Sequence, residues 1–233
     1  MELAVVYPVY NEVDLIKDTA TRTIEFLREN IEDDFKVVFV TDGSTDGTQQ
    51  EADRLAEDFD EVKHLEYDDR LGKGLAFEKA FENIDSEIFV YSDADLSTDL
   101  KHLEDIHGFL KENPIAIGSR RISSGFERGM FREIPSIFFN EMLRLSFMSE
   151  VKDHQCGFKG FRAQEVEGLF DEVDSDHWFW DAEMLVRAQR NNIDIKEFPV
   201  EWEEASDSKV SVFEDSMYFL KKIFELRVKL WKS

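Results

Sequence analysis

The chain has little of what several protein classes require. It holds a single cysteine, Cys156, which excludes an internal disulfide and fits a reducing compartment. No stretch approaches the roughly 20 consecutive apolar residues that cross a bilayer. The run opening at Glu2 carries no basic leader of the secretory kind. Lysines and arginines number 28 against 52 acids, a net charge of −24, which argues against nucleic acid as a partner. Such acidity fits life in high salt, where screening tolerates it. Histidines make no zinc pattern: His102 and His107 are five apart, poor ligand spacing on a helix, and His154 and His177 stand alone. Neither a Ser-His-Asp arrangement nor a phosphate-binding G-x-x-x-x-G-K-[ST] run occurs. Cys156 has no sequence partner that would make it a nucleophile and reads as a buried thiol.

What the chain does have is alternation. Its 233 residues suffice for one large α/β domain. Apolar runs from Leu3 to Tyr7, Phe35 to Val40 and within Glu87 to Leu96 read as buried strands, with short strands at Val62 to Tyr67 and Ile115 to Gly118. Between them lie helical patterns, the first from Asp14 to Asn30 with Ile16, Ala20, Ile24 and Leu27 on one face. This predicts a mostly parallel sheet with helices on both faces, in one domain over residues 1–212. Ligands of such sheets collect at the carboxyl ends of the strands, where Asn11, Asp42, Lys73 and Asp93 fall. Pro8 is expected to end the first strand, because it cannot continue a central ladder.

The Glu87 to Leu96 run delivers two acids, Asp93 and Asp95, where the strand ends. Carboxylates there are costly to desolvate without a cation or hydrogen bonds. Strand residues two apart point the same way, so both acids could face one ion, and so few hard oxygens suit Mg²⁺ or Mn²⁺ completed by phosphate and water. The bland alternative is a pair of solvated acids opening a loop.

The company of this pair argues for the metal. Pro8-Val9-Tyr10-Asn11-Glu12, then Asp42-Gly43-Ser44-Thr45-Asp46-Gly47-Thr48, then Asp93-Ala94-Asp95 resemble the motifs of a family 2 glycosyltransferase of the GT-A fold. Gly72-Lys73-Gly74, Gly118-Ser119-Arg120 and Cys156-Gly157-Phe158-Lys159-Gly160-Phe161 resemble the branch that glycosylates dolichyl or other polyprenyl phosphates. The resemblance implies a nucleotide-binding set of Pro8, Tyr10, Glu12, Asp42, Lys73, Asp93 and Ala94, with Asp93 and Asp95 holding the metal. It divides the domain into a donor half over about 1–120 and an acceptor half over about 121–212. Thr41 stands where many relatives have Asp, and Leu96-Ser97-Thr98-Asp99 replaces the Leu-Gln-His-Pro of many mannosyl members. The hexose is therefore open between mannose and glucose, although Cys156 to Lys159 looks closer to dolichyl-phosphate glucose synthases.

A leaving diphosphate needs a divalent ion and cationic donors where charge develops. Arg120, Arg121, Arg128 and Arg132 are candidates for that clamp, ordinary surface arginines being the alternative for Arg121 and Arg128. By the resemblance Asp181 lies near the reacting groups and is the candidate base, with Glu183 its neighbour, and Lys209 helps hold the acceptor phosphate. The family's reaction is one inverting displacement at the anomeric carbon. A sugar hydroxyl acceptor would need the base, whereas a phosphate monoester is largely dianionic at neutral pH. The apolar Gly129 to Met148 helix and the basic, amphipathic 213–233 segment point to peripheral attachment on the cytoplasmic face of a membrane, packing against the sheet being the alternative. Two other readings remain: transfer to a saccharide or lipid-linked saccharide hydroxyl, and a silent nucleotide-sugar-binding scaffold, which intact Asp93 and Asp95 count against.

Overall fold

In the computed structural model, strands β1 (Leu3–Val9), β2 (Phe35–Asp42), β3 (Val62–Tyr67), β4 (Ile88–Ser92), β5 (Ile115–Ser119), β6 (Phe158–Arg162) and β7 (Ile195–Pro199) form one sheet. Their order is β3-β2-β1-β4-β6-β5-β7. The structure describes residues 1–122, 130–175, 179–203 and 212–232, without the side chains of 130–135, 212–217 and 232.

Period-two side-chain alternation splits each central strand between two apolar layers. Leu3, Val5 and Tyr7 of β1 face the side covered by α1 (Ile16–Asn30), α2 (Thr48–Asp58) and α4 (His102–Leu110). Ala4 and Val6 face the side covered by α3 (Lys73–Asn83), the short α6 (Ala163–Val166) and α7 (Trp180–Arg190). Each fully buried Val, Leu or Phe contributes about 1.5–3 kcal/mol of burial, which is why the strands read as unbroken apolar runs. A third cluster joins α5 (Met130–Phe147), α7 and α8 (Val212–Lys232) through Phe139, Leu143, Phe179, Val186, Phe219, Ile223 and Leu226.

The predicted layers are present, and two details differ from expectation. β1 continues past Pro8, which pairs in register with Val40 of β2. Pairing of β1 with β4 has already ended at Val6 and Tyr91, so Pro8 costs no bond on that side. The second detail is β6, which lies between β4 and β5 and runs antiparallel to both. Its amino end therefore meets the carboxyl end of β4, with Phe158 opposite Ser92. That reversal brings Gly157 beside Asp93.

Candidate functional site

Turns at the carboxyl ends of β1, β2 and β4 build the site. Asp42 closes β2, almost fully buried, and a carboxylate there needs donors. It accepts the backbone N–H of Leu71 at 3.0 Å and of Gly72 at 2.8 Å, and pairs with Arg70. Gly43 permits this approach: its φ is +69°, and an added Cβ would lie 3.2 Å from the Asp68 carbonyl oxygen. The Arg70 guanidinium also sits 3.7 Å above the Tyr10 ring, a cation–π contact. Tyr10, Asp42 and Arg70 thus form one stacked, charged corner.

The next turn is tied down by backbone bonds. Glu12 donates its N–H to Thr48 Oγ1 at 2.9 Å, and Thr45 donates to Asn11 Oδ1 at 2.8 Å. A cleft of about 180 Å³ opens here, lined by Asn11, Glu12, Val13, Asp14, Leu15 and Asp46. It includes Glu12 and neither Asp42 nor Asp93, so its volume does not mark the reacting centre.

Asp93 is the first residue beyond β4, with Ala94 and Asp95 in the turn that follows. The pair thus stands outside the strand, and strand alternation does not set its direction. Asp93 pairs with Lys73, the first residue of α3. Burial works against the Lys73 charge, but Asp93 first, then Asp181 and Asp95, hold its pKa above the ordinary lysine value. Burial, followed by the fields of Asp93 and Asp181, pushes the Tyr91 hydroxyl well above its ordinary value. Asp93, Asp95 and Asp181 therefore share one electrostatic neighbourhood.

Gly157 presses on this neighbourhood, because a Cβ added there would overlap the Asp93 carboxylate. Asp181 stands in the first turn of α7, where the helix dipole favours an anion, and its Oδ1 lies 2.8 Å from Nζ of Lys159. Lys159 is fully buried and also donates to the Cys156 carbonyl. Glu183 faces elsewhere: it accepts from Ser175 Oγ at 2.6 Å and from Arg187 Nε at 2.9 Å, which makes it a packing acid. Burial pushes the Cys156 thiol up to about 12.

Arg120 is already engaged. Its Nε and one terminal nitrogen donate to the buried Asp153 at 2.8 and 2.9 Å, and its backbone N–H adds a bond at 3.2 Å. Burial opposes ionisation of Asp153, and these Arg120 contacts hold its pKa below the ordinary carboxylate value. Arg121 donates to Ser136 Oγ at 3.1 Å. Arg128, Lys209, His177 and the Arg132 side chain lie outside the described residues.

Sequence reasoning did not single out Arg70, Asp153, Gly157 or Lys159 for the roles they take. The available signals were a lone cation in the acidic loop after β3 and a lysine inside the apolar Phe158 to Phe161 strand. Among the described residues, no cluster of three acidic, histidine or cysteine ligands occurs. Asp93 and Asp95 are hard oxygen donors, and the bare Gly157 leaves the Asp93 carboxylate its space. That donor set fits Mg²⁺ or Mn²⁺ whose remaining positions go to diphosphate and water.

The profile of glycosyl transferase family 2 matches residues 4–170. Glycosyltransferase AglD of Haloferax volcanii is 43% identical over 219 residues, covering 92% of this chain and 35% of its own length. A dolichyl-phosphate beta-glucosyltransferase of Saccharomyces cerevisiae is 28% identical, covering 97% of this chain and 74% of its own. The chain thus spans about a third of the Haloferax protein and three quarters of the yeast one. Among solved structures, glucosyl-3-phosphoglycerate synthase of Mycobacterium tuberculosis with uridine diphosphate superposes with a TM-score of 0.70 at 16% identity, over 97% of this chain and 79% of that one. A mannosyltransferase of Pyrobaculum calidifontis in complex with GDP-Man and Mn²⁺ gives 0.64 at 20% identity, over 99% of this chain and 64% of that one.

Proposed function

The chain belongs to glycosyl transferase family 2 and has the GT-A fold, and on that premise we propose that it transfers a hexose from a nucleotide sugar to dolichyl or another polyprenyl phosphate. The observation that carries this reading is the meeting of Asp93, Asp95, Lys73 and Asp181 at the strand ends, beside the Tyr10, Asp42 and Arg70 corner. The relatives' names favour glucose as the sugar and a lipid phosphate as the acceptor.

In this reading Tyr10, Asp42 and Glu12 receive the base and ribose, with Pro8 shaping the turn. Asp93 and Asp95 hold Mg²⁺ or Mn²⁺, and Ala94 lies between them at the diphosphate. The bound cation would neutralise charge on the leaving diphosphate. Lys73 turns its ammonium from Asp93 to a phosphate oxygen. An oxygen of the acceptor phosphate attacks the anomeric carbon as the bond to the diphosphate breaks. The nucleoside diphosphate departs, and the sugar configuration inverts. No proton needs to leave the acceptor, because its second pKa is about 6. Asp181 then orients the acceptor instead of deprotonating it. Arg120, Arg132 and Lys209 are the acceptor-side cations in this scheme, with Arg120 braced by Asp153.

Attachment to the cytoplasmic face of a membrane is part of the proposal. Among the described residues no helix is long and apolar enough to cross a membrane. On α8 one face packs into the core through Phe219, Ile223 and Leu226, while Phe224 and Trp231 are 69% and 87% exposed. Phe224, Val228 and Trp231 share that outer face by helical spacing, flanked by Lys221 and Arg227. Leu145 and Met148 stand exposed on and just after the neighbouring α5. An apolar stripe edged by lysine and arginine fits an anionic lipid surface, notably in a chain otherwise so acidic.

The test is a donor panel: UDP-glucose, GDP-mannose and other UDP- and GDP-sugars with Mn²⁺, with and without dolichyl phosphate in detergent. The expected result is nucleoside diphosphate release from one donor that depends on the lipid phosphate. Release of equal rate without it would overturn the acceptor.

A further inference from the structure

Lys159 is hard to explain as ordinary packing. It sits in the interior strand β6, opposite Tyr91 on one side and Ile117 on the other, and its side chain is wholly buried. Phe161, next along the same face, belongs to the apolar layer under α3 and α7. An ammonium in that position is costly, by several kcal/mol per ion, unless its partners are well placed. An apolar side chain of similar volume would cover the same surface without that penalty.

Its partners are the Cys156 carbonyl and Asp181. The first fixes the ammonium to the turn that carries Gly157, the residue pressed against Asp93. The second is a carboxylate still 19% exposed, in the first turn of α7. Asp181 shares its neighbourhood with Asp93 and Asp95, as their joint action on Lys73 records. Repulsion from the Asp93 and Asp95 carboxylates works against an ionised Asp181 staying in that neighbourhood. Lys159 is the cation that opposes this from within the sheet.

We infer that Lys159 is a positioning residue, whose buried ammonium holds the Asp181 carboxylate aimed at the reacting centre. The inference rests on the reading that Asp181 acts there. It adds that the Cys156 to Phe161 stretch serves both carboxylate sites at once: Gly157 leaves room for Asp93, and Lys159 tethers Asp181.

A double-mutant cycle on the whole chain tests it, with UDP-glucose, Mn²⁺ and dolichyl phosphate as probes. Lys159→Met is expected to lower kcat about a hundredfold, the cost of a misplaced group, with KM for UDP-glucose unchanged. In the Asp181→Asn background the same change is expected to add no further loss, because the group it positions has gone. A purely structural lysine would lower kcat by the same factor in both backgrounds, and that result overturns the inference. Wild-type kcat in Lys159→Met overturns it as well. If Asp181→Asn alone keeps wild-type kcat, the role of Asp181 falls first, and the inference with it. The doubly neutral variant leaves no unpaired charge and is expected to fold. Should Lys159→Met alone fail to fold, Lys159→Gln, which can still donate to the Cys156 carbonyl, runs the same cycle with the same outcomes.

Discussion

Lys73, at the first residue of α3, is ion-paired with Asp93, at the first residue beyond β4. The contact joins a helix start to a strand end across the mouth of the sheet. It gives Asp93 a counter-charge. In the proposed reaction Asp93 would help hold a divalent ion, which would supply that counter-charge and leave the Lys73 ammonium available to phosphate.

Metal dependence is the first consequence. Asp95 is exposed and its Oδ1 accepts only a local bond, from Ser97 N–H at 3.0 Å. Asp95→Asn is therefore expected to leave the melting point unchanged while lowering kcat by about a hundredfold or more, as loss of metal-held charge stabilisation implies. Full turnover in excess chelator would contradict the metal assignment.

Gly157 makes a sharper test of the same site. Its backbone lies where a Cβ would collide with the Asp93 carboxylate, so Gly157→Ala must turn Asp93 aside. Titration calorimetry with Mn²⁺ in the presence of UDP should show affinity weakened by about tenfold, or 1.4 kcal/mol. Wild-type affinity would mean that Asp93 is not a ligand.

Stability should fall in mild acid because of His154. This ring is buried between Ser149, at 2.8 Å from Nε2, and Asn140, at 3.1 Å from Nδ1, and burial lowers its pKa from 6.5 to about 3. The unfolded chain accepts a proton between those values and the folded chain does not, so the contribution is complete above 6.5 and is lost as pH falls towards about 3. Between about pH 7 and pH 5 the wild type should lose about 2 kcal/mol more than His154→Gln in urea unfolding. Equal losses would refute it.

The outer face of α8 should bind lipid without bearing the fold. Truncating α8 would remove Phe219, Ile223 and Leu226 from a shared core, so it cannot separate packing from attachment. Phe224→Ser with Trp231→Ser changes only exposed positions, where stability effects stay within about 0.5 kcal/mol. Sedimentation with anionic liposomes should fall sharply while the melting point holds. Unchanged sedimentation would remove the membrane face from the account.

The central strands β1, β2, β4 and β5 were legible because they are nearly continuous apolar runs, and the helices because each carries its own stripe, both local signals. The direction of β6 was not: no local signal in Phe158 to Arg162 says that it runs against β4. Tyr10, Asp42 and Asp93 could be named because they stand in recognisable motifs at strand ends, and Asp181 through the family resemblance alone. Arg120 shows where such reading stops. Gly-Ser-Arg-Arg after a strand looks like a free clamp, yet the partner that engages Arg120, Asp153, lies 33 residues on. Lys159 was hidden for the same reason, since its acid stands on another helix and no local pattern links them.

The most direct measurement is the mass of the lipid product after incubation with dolichyl phosphate, UDP-glucose or GDP-mannose, and Mn²⁺. The account predicts a species heavier than dolichyl phosphate by one hexose residue, with the sugar joined to the phosphate and its anomeric configuration inverted. A hexose found only on a hydroxyl acceptor, with dolichyl phosphate returned unchanged, would contradict it.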